Sequence, residues 1–343
     1  MIVFAWEQFP QYAARAIGAF VRSTAESVIV VATRPNAPVT GMERIVGCPV
    51  VWIKGHDDMR GIEEVVGEVP RAIFTTGWSV RPFNLYRDQV RANGGRAYAM
   101  VDNNFQLGWK DWLKNIRFQI LYRCKYDGYL VPGVSGEKLM RFYGVPSSKV
   151  RKGFYSADET LFTDGKPLQD RRNRIVFVGQ FIKRKNVIRL CKAFMNIEDG
   201  QRAGWVLELY GYGVLKDKLP KDDGIKVNGF LQPEQIASIY KDSKIFILPS
   251  LEEHWGLVVH EAALSGCVML VSKTVGAAED FVSEKNGLTF NPKSVDEIKS
   301  VMECAMSMTE KQLSLAEKVS VELGGKINLS CFVEGVQSLL ELA

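Results

Sequence analysis

The feature that most constrains the fold is a succession of short runs that are apolar on both faces and rich in β-branched and aromatic residues. In the first half these are IVFA (2–5), SVIVVAT (27–33), PVVWI (49–53), RAIFTT (71–76), RAYAMV (96–101) and GYLVP (128–132). Strands of this kind are buried under helices on both sides, the situation of a parallel sheet. Gln11–Ser23 and Trp109–Tyr126 lie between them with apolar positions at helical spacing. The alternation predicts a doubly wound α/β domain. It breaks at TDGKPLQDRRN (163–173), which has Gly, Pro, dense charge and no apolar period, as a linker would. It then restarts with RIVFVG, the helical stretch NVIRLCKAFMNI, and the strands WVLELYG, IKVNGF, KIFILPS and CVMLVS. Two tandem α/β domains follow: 1–165, and 166–327. A final helix spans 328–343, with Phe332, Val336, Leu339 and Leu340 on one face. It is expected to pack back on the first domain.

At 343 residues the chain suits two domains better than one core. A composition of 46% hydrophobic and 24% charged residues is that of a globular protein. The apolar runs fall far short of the roughly 18 residues of a membrane span. The start, MIVFAWEQF, meets Glu7 early and lacks a basic region, so no signal peptide is expected. Six scattered cysteines without a CxxC pair read as small buried hydrophobes in a reducing cytosol, which makes the expected location cytoplasmic. Three histidines at no zinc spacing, and no D-x-D triplet, give no reason to expect a metal or other cofactor. The net charge of +5 suits an anionic substrate or an acidic membrane surface, and is too weak for nucleic acid.

Ligands of open parallel sheets sit at the carboxyl ends of strands, so the junctions of the second domain are the places to search. VGQFIKRKN ends a strand at Gly179 and sets Lys183, Arg184 and Lys185 before a helix. That is either a phosphate site or a solvated basic turn. LYGYG places Gly211 and Gly213 after a strand, but Lys216 stands where a dinucleotide fingerprint needs its third glycine. KIFILPSLEEHWGLVVHEAALSG carries the strongest signal. Gly256 opens an apolar helix whose free N–H groups can receive a diphosphate. Glu261 lies in the first turns of that helix, in a stretch too apolar for an idle carboxylate. The plain alternative is a helix-start carboxylate favoured by the dipole by about 0.3–1 kcal/mol. VSKTVGAAEDFV adds another small-residue turn at a strand end.

VGQFIKRKN, LYGYG, VNGF, ILPSLEEHWGLVVHEAALSG and VSKTVGAAEDFV–NGLTF occur in the order and spacing of glycosyltransferase family four, which this sequence resembles over most of 175–300. The resemblance implies a GT-B fold, with two Rossmann-like domains facing across a cleft, and transfer with retained anomeric configuration. Glu253 and Glu261 meet the family's Glu-x7-Glu signature. By the same resemblance Glu261 binds the ribose hydroxyls and Glu253 faces the donor sugar. Backbone N–H groups around Gly256, Leu257 and Val258 hold the diphosphate, with Gly179 and Gly211 at the neighbouring strand ends. Phe230 and Leu231 line the base, and Lys185 neutralises the leaving phosphate. Where members carry an arginine this chain has Gln180, and Arg184 is the candidate replacement. The first loop, AWEQFPQYAAR, lacks the family's glycines and leaves Arg15 as nearest cation. Asp102 stands in VDNN where a histidine is usual, and is open to an acceptor-orienting role or to an Asx-turn. His254, beside the sugar position, is a candidate hydrogen-bond donor, and His260 is expected to pack.

The expected function is transfer from a UDP-, GDP- or ADP-sugar to a saccharide or lipid-linked acceptor, in polysaccharide or lipopolysaccharide assembly. The competing readings are a silent partner subunit that keeps the fold, and a glycoside hydrolase using two glutamates. Trp109–Tyr126 is basic and aromatic. It is read either as a helix with its basic face in water or as a peripheral contact with the inner face of an anionic membrane.

Overall fold

The computed structural model describes residues 1–35, 39–53, 67–106 and 108–342, with the backbone alone at Lys110. It divides into two compact units, Met1–Ser156 with Asn328–Ala343, and Ala157–Ile327.

The first unit holds the strands β1 (Ile2–Trp6), β2 (Val28–Ala32), β3 (Val50–Trp52), β4 (Ala72–Thr76), β5 (Arg96–Met100), β6 (Gly128–Val131) and β7 (Val150–Lys152). They form one parallel sheet in the order β3-β2-β1-β4-β5-β6-β7, with Ile2 opposite both Val28 and Ala72. Alternate residues of a strand point to opposite faces, and the two cores follow that period. Ile2, Phe4 and Trp6 feed one cluster while Val3 and Ala5 feed the other. Phe4 stacks on Phe74 at 5.0 Å, and Phe74 on Tyr98 at 4.7 Å, which ties β1, β4 and β5 together on one face. The helix Leu329–Leu340 closes that face with Phe332, Val336 and Leu339, all fully buried.

The second unit holds β8 (Arg172–Val178), β9 (Val206–Tyr210), β10 (Ile225–Asn228), β11 (Ser243–Leu248), β12 (Val268–Ser272) and β13 (Gly287–Phe290), parallel in the order β10-β9-β8-β11-β12-β13. Chain direction across the sheet therefore reverses between β8 and β11, which puts a crevice at their carboxyl ends.

Some expectations need correction. The stretch 163–173 is not the link between the units; it lies within the second unit. Leu168 is buried, and Arg171 is buried because its guanidinium donates to the Ser265 carbonyl at 2.7 Å and pairs with Glu317 at 2.9 Å. The units change over at Ser156–Ala157 instead. Of the cysteines only Cys191 and Cys267 are buried, whereas Cys124 and Cys304 are exposed; all six are free thiols. The edge strands β7 and β13 were not anticipated. Val150–Lys152 is short and basic, and Gly287–Phe290 opens on glycine, so neither shows a strand's apolar pattern.

Candidate functional site at the carboxyl ends of β8 and β11

The loop after β8 turns through Lys183–Lys185 and enters the helix Val187–Met195 at Asn186, whose φ of 60° is left-handed. Asn186 fixes this loop to its neighbour, because its amide donates to the carbonyls of Pro249 (3.0 Å) and Pro292 (2.7 Å). Leu251 N–H donates to the Arg184 carbonyl at 2.8 Å. From the other side, Ser272 and Thr274 hydroxyls donate to the Ser250 carbonyl at 2.6 and 2.7 Å.

This scaffold brings three of the anticipated residues together. Lys185 Nζ meets Glu253 Oε2, and Arg184 Nη1 pairs with Glu253 Oε1 at 3.1 Å. Ser250 Oγ donates to the same carboxylate at 3.3 Å. Lys185 and Glu253 are each only 9% exposed. Burial by itself would raise the Glu253 carboxyl, but the Lys185 and Arg184 charges outweigh it and hold it below the ordinary carboxylate range. Two cations against one carboxylate leave that cluster with a net positive charge, which favours an anion beside it.

Gly256 sits at the entry to the helix Leu257–Leu264 with φ 92°, ψ 69°. A Cβ there would lie 3.2 Å from both Glu253 Cγ and Val275 Cγ1, so the conformation and the space both call for glycine. Leu257 and Val258 form the first turn, whose N–H groups have no acceptor within the helix. Glu261 is half-buried on the second turn. His254 is exposed. His260 has turned into the core. Its Nδ1 accepts from Ala157 N–H at 3.1 Å, so Nε2 carries the proton and donates to the Gly324 carbonyl at 2.9 Å. The imidazole also stacks on Phe281 at 4.5 Å. Burial pulls its pKa down to about 4, which keeps it neutral.

Along the rest of the carboxyl edge, Gln180 donates to the Tyr212 hydroxyl at 3.1 Å and Tyr212 meets Phe230 edge-on at 5.8 Å. Phe230 and Leu231 are half-buried beyond β10. Gly211 is explained by backbone packing, since a Cβ would lie 1.9 Å from the Gly179 carbonyl oxygen. Sequence reasoning missed Asn186, Ser250 and Thr274, which shape the two loops. It also missed Asn228 at the end of β10, whose buried amide nitrogen has no hydrogen-bond partner. The sole sign of Asn228 was its place in VNGF.

The first unit has its own switch point, between β1 and β4. The helix Gln11–Ser23 starts there with no side-chain cap and no acidic residue in its first turn, and Arg15 is half-buried on it. Glu7, also missed, holds β1 to β4: its N–H donates to Thr76 Oγ1 at 2.9 Å. Asp102 follows β5 and accepts from the Tyr155 hydroxyl at 2.9 Å. Among the described residues no three His, Cys, Asp or Glu side chains gather as a metal site would require, and no helix is long and apolar enough to cross a membrane.

Residues 159–320 match the family model Glycosyl transferases group 1. The match lies within the second unit and takes in every residue of the β8–β11 crevice. An uncharacterized glycosyltransferase of Methanocaldococcus jannaschii is 29% identical over 138 residues, 38% of this chain and 35% of that protein. A sulfoquinovosyl transferase of Arabidopsis thaliana is 27% identical over 178 residues, 49% of this chain and 33% of that protein. The chain thus spans about a third of the length of these curated relatives. Among solved structures, Anabaena HepE in complex with UDP and glucose superposes with a TM-score of 0.75 at 12% identity, covering 98% of each chain. That likeness bears out the GT-B fold class.

Proposed function

We propose that the chain is a nucleotide-sugar-dependent glycosyltransferase of family four that retains anomeric configuration, with its donor site at the β8–β11 crevice. The observation that carries this reading is the buried Lys185–Glu253 pair, with the exposed Arg184 on the same carboxylate, beside the helix start at Gly256 and inside the span that matches the group 1 family. A diphosphate brings two negative charges to the net positive Lys185–Arg184–Glu253 cluster and meets free N–H groups at the helix start. Glu261 takes the ribose hydroxyls, and Phe230, Leu231 and the unpartnered amide of Asn228 take the base.

Glu253 then has two tasks. With no donor bound it pairs with Lys185 and Arg184; with donor bound those cations turn to phosphate and its carboxylate is freed for the sugar hydroxyls. The sugar departs through an oxocarbenium-like transition state, and the chain's contribution is preorganised positive charge on the leaving diphosphate. The acceptor hydroxyl, of a saccharide or lipid-linked sugar, attacks from the leaving-group side and gives its proton to the departing phosphate. Asp102, held by Tyr155, is the candidate to orient it, and cell-surface polysaccharide or lipopolysaccharide assembly is the proposed setting.

The test is a thermal-shift screen against UDP-, GDP- and ADP-sugars. A rise in melting temperature with one of them identifies the donor. No rise with any would overturn the reading in favour of a silent partner subunit, a reading that Gln180 and the glycine-free first loop also fit. Release of sugar from a glycoside without nucleotide would instead make the chain a hydrolase.

A further inference from the structure

The helix Trp109–Leu121 turns its apolar side outward. Trp109, Trp112, Leu113, Ile116 and Ile120 recur at three- and four-residue spacing and so share one stripe. They are 71%, 58%, 57%, 56% and 75% exposed. The opposite side is the one that holds the helix to the first unit. Phe118 is 1% exposed and stacks on Tyr143 at 4.7 Å, and Asn115 donates to the Phe142 carbonyl at 3.2 Å. A surface helix normally buries its apolar stripe. This one is seated mainly by its other side; Trp112 meets Phe142 edge-on at 4.9 Å, and the rest of the stripe is left as a hydrophobic strip on the outside.

The charges around the strip are cationic. Arg117 is exposed along its edge and Lys114 is exposed further round the helix, while Arg123 and Lys125 follow in the next turn, Lys125 paired with Asp88 at 3.2 Å. The helix's acidic residue, Asp111, is buried; it accepts from Gly108 N–H at 3.0 Å and pairs with Lys114 at 3.2 Å. We propose that this strip is a membrane-docking face. The helix would lie in the plane of an anionic lipid surface, with its tryptophans and isoleucines in the headgroup–acyl boundary and its lysines and arginines on lipid phosphates. Charge complementarity selects the occupant. A second copy of the chain would bring the same cations against each other, whereas an anionic bilayer meets both the apolar strip and its basic margin. Tryptophan is also at home at a membrane interface. The proposal is independent of the donor-site reading.

Co-sedimentation of the full chain with vesicles of phosphatidylcholine, and with an equimolar mixture of phosphatidylcholine and phosphatidylglycerol, tests it. The parent protein is expected to pellet with the mixed vesicles and to stay in solution with the neutral ones. Each cation near an anionic surface strengthens binding about fivefold, so Arg117→Glu with Arg123→Glu should weaken it by more than about twentyfold. Ile116→Glu with Ile120→Glu should abolish it, with melting temperature and nucleotide-sugar thermal shifts unchanged. Should that pair fail to fold, the charge-reversed pair, whose side chains are exposed and form no ion pair with a buried carboxylate, decides alone. The proposal is overturned if the parent does not bind the mixed vesicles or if the variants bind as it does. It is equally overturned if the parent is a dimer by sedimentation velocity that Ile116→Glu with Ile120→Glu dissociates.

Discussion

Lys185 and Glu253 hold one another in a place where neither would be tolerated alone, since an unpaired buried charge costs several kcal/mol. On the proposed function, Lys185→Ala removes a cation that acts most strongly as the diphosphate leaves. The expected loss is about a hundredfold in kcat, measured by steady-state transfer with the donor found in the thermal-shift screen. Glu261→Ala should instead raise the donor Kd, read by titration calorimetry, with a smaller effect on kcat. His260 makes a prediction at the same scale about pH. Its folded pKa of about 4 lies below the ordinary 6.5, so between those values the unfolded chain takes up a proton that the folded chain refuses. Stability on this account is fully present above pH 6.5 and is lost as pH falls toward 4, to a total of about 3 kcal/mol. Urea melts of the parent and of His260→Gln across that window should show the variant losing less; equal losses would remove His260 as the source.

At the scale of elements, most of the strands that had a readable pattern are buried on both faces. β1, β4, β5, β11 and β12 all have interior runs with nothing polar to interrupt them. β7 and β13 sit at sheet edges, as β3 and β10 do. But β3 and β10 still carry β-branched or aromatic residues (Val50–Trp52 and Ile225, Val227), whereas β7 is short and basic and β13 opens on glycine, and they escaped notice for that reason. The site was readable as far as its charged and glycine residues go. Glu253, Lys185, Arg184 and Gly256 announce themselves by type and position. What spacing did not reveal is that Glu253 is the counter-ion of Lys185, because that contact joins loops of two non-consecutive strands. Nor did it show that Arg171, in a stretch resembling a linker, is buried among carbonyls. Glycine pairs such as Gly211–Gly213 are ambiguous in sequence, and here packing explains them. Gly211→Ala would drive a methyl into the Gly179 carbonyl and spread the ends of β8 and β9. It should destabilise by about 1–3 kcal/mol or more in a urea melt, without any nucleotide present.

At the scale of the molecule, the first unit is built from two separated stretches of chain. Phe332, Val336 and Leu339 return from beyond the second unit to fill its core, and Phe332 lies 6.1 Å from Phe4. Loss of one such side chain costs about 2–5 kcal/mol, and loss of all three is comparable to the whole of about 5–15 kcal/mol that a domain holds in reserve. Removal of residues 328–343 should therefore leave the first unit open to limited proteolysis while fragments of Ala157–Ile327 persist. Survival of both units would mean that the helix is dispensable.

That discontinuity also sets an order of events at the ribosome. The stretch Ala157–Ile327 emerges whole and can fold as it leaves the exit tunnel. Met1–Ser156 emerges earlier and has to wait for the segment that completes it. At roughly 5–20 residues per second the delay is on the order of ten to thirty seconds. For that interval Phe4, Phe20 and Phe74 lack the helix that covers them. The part synthesised first is finished last, and it is the part a nascent-chain chaperone would have to shield.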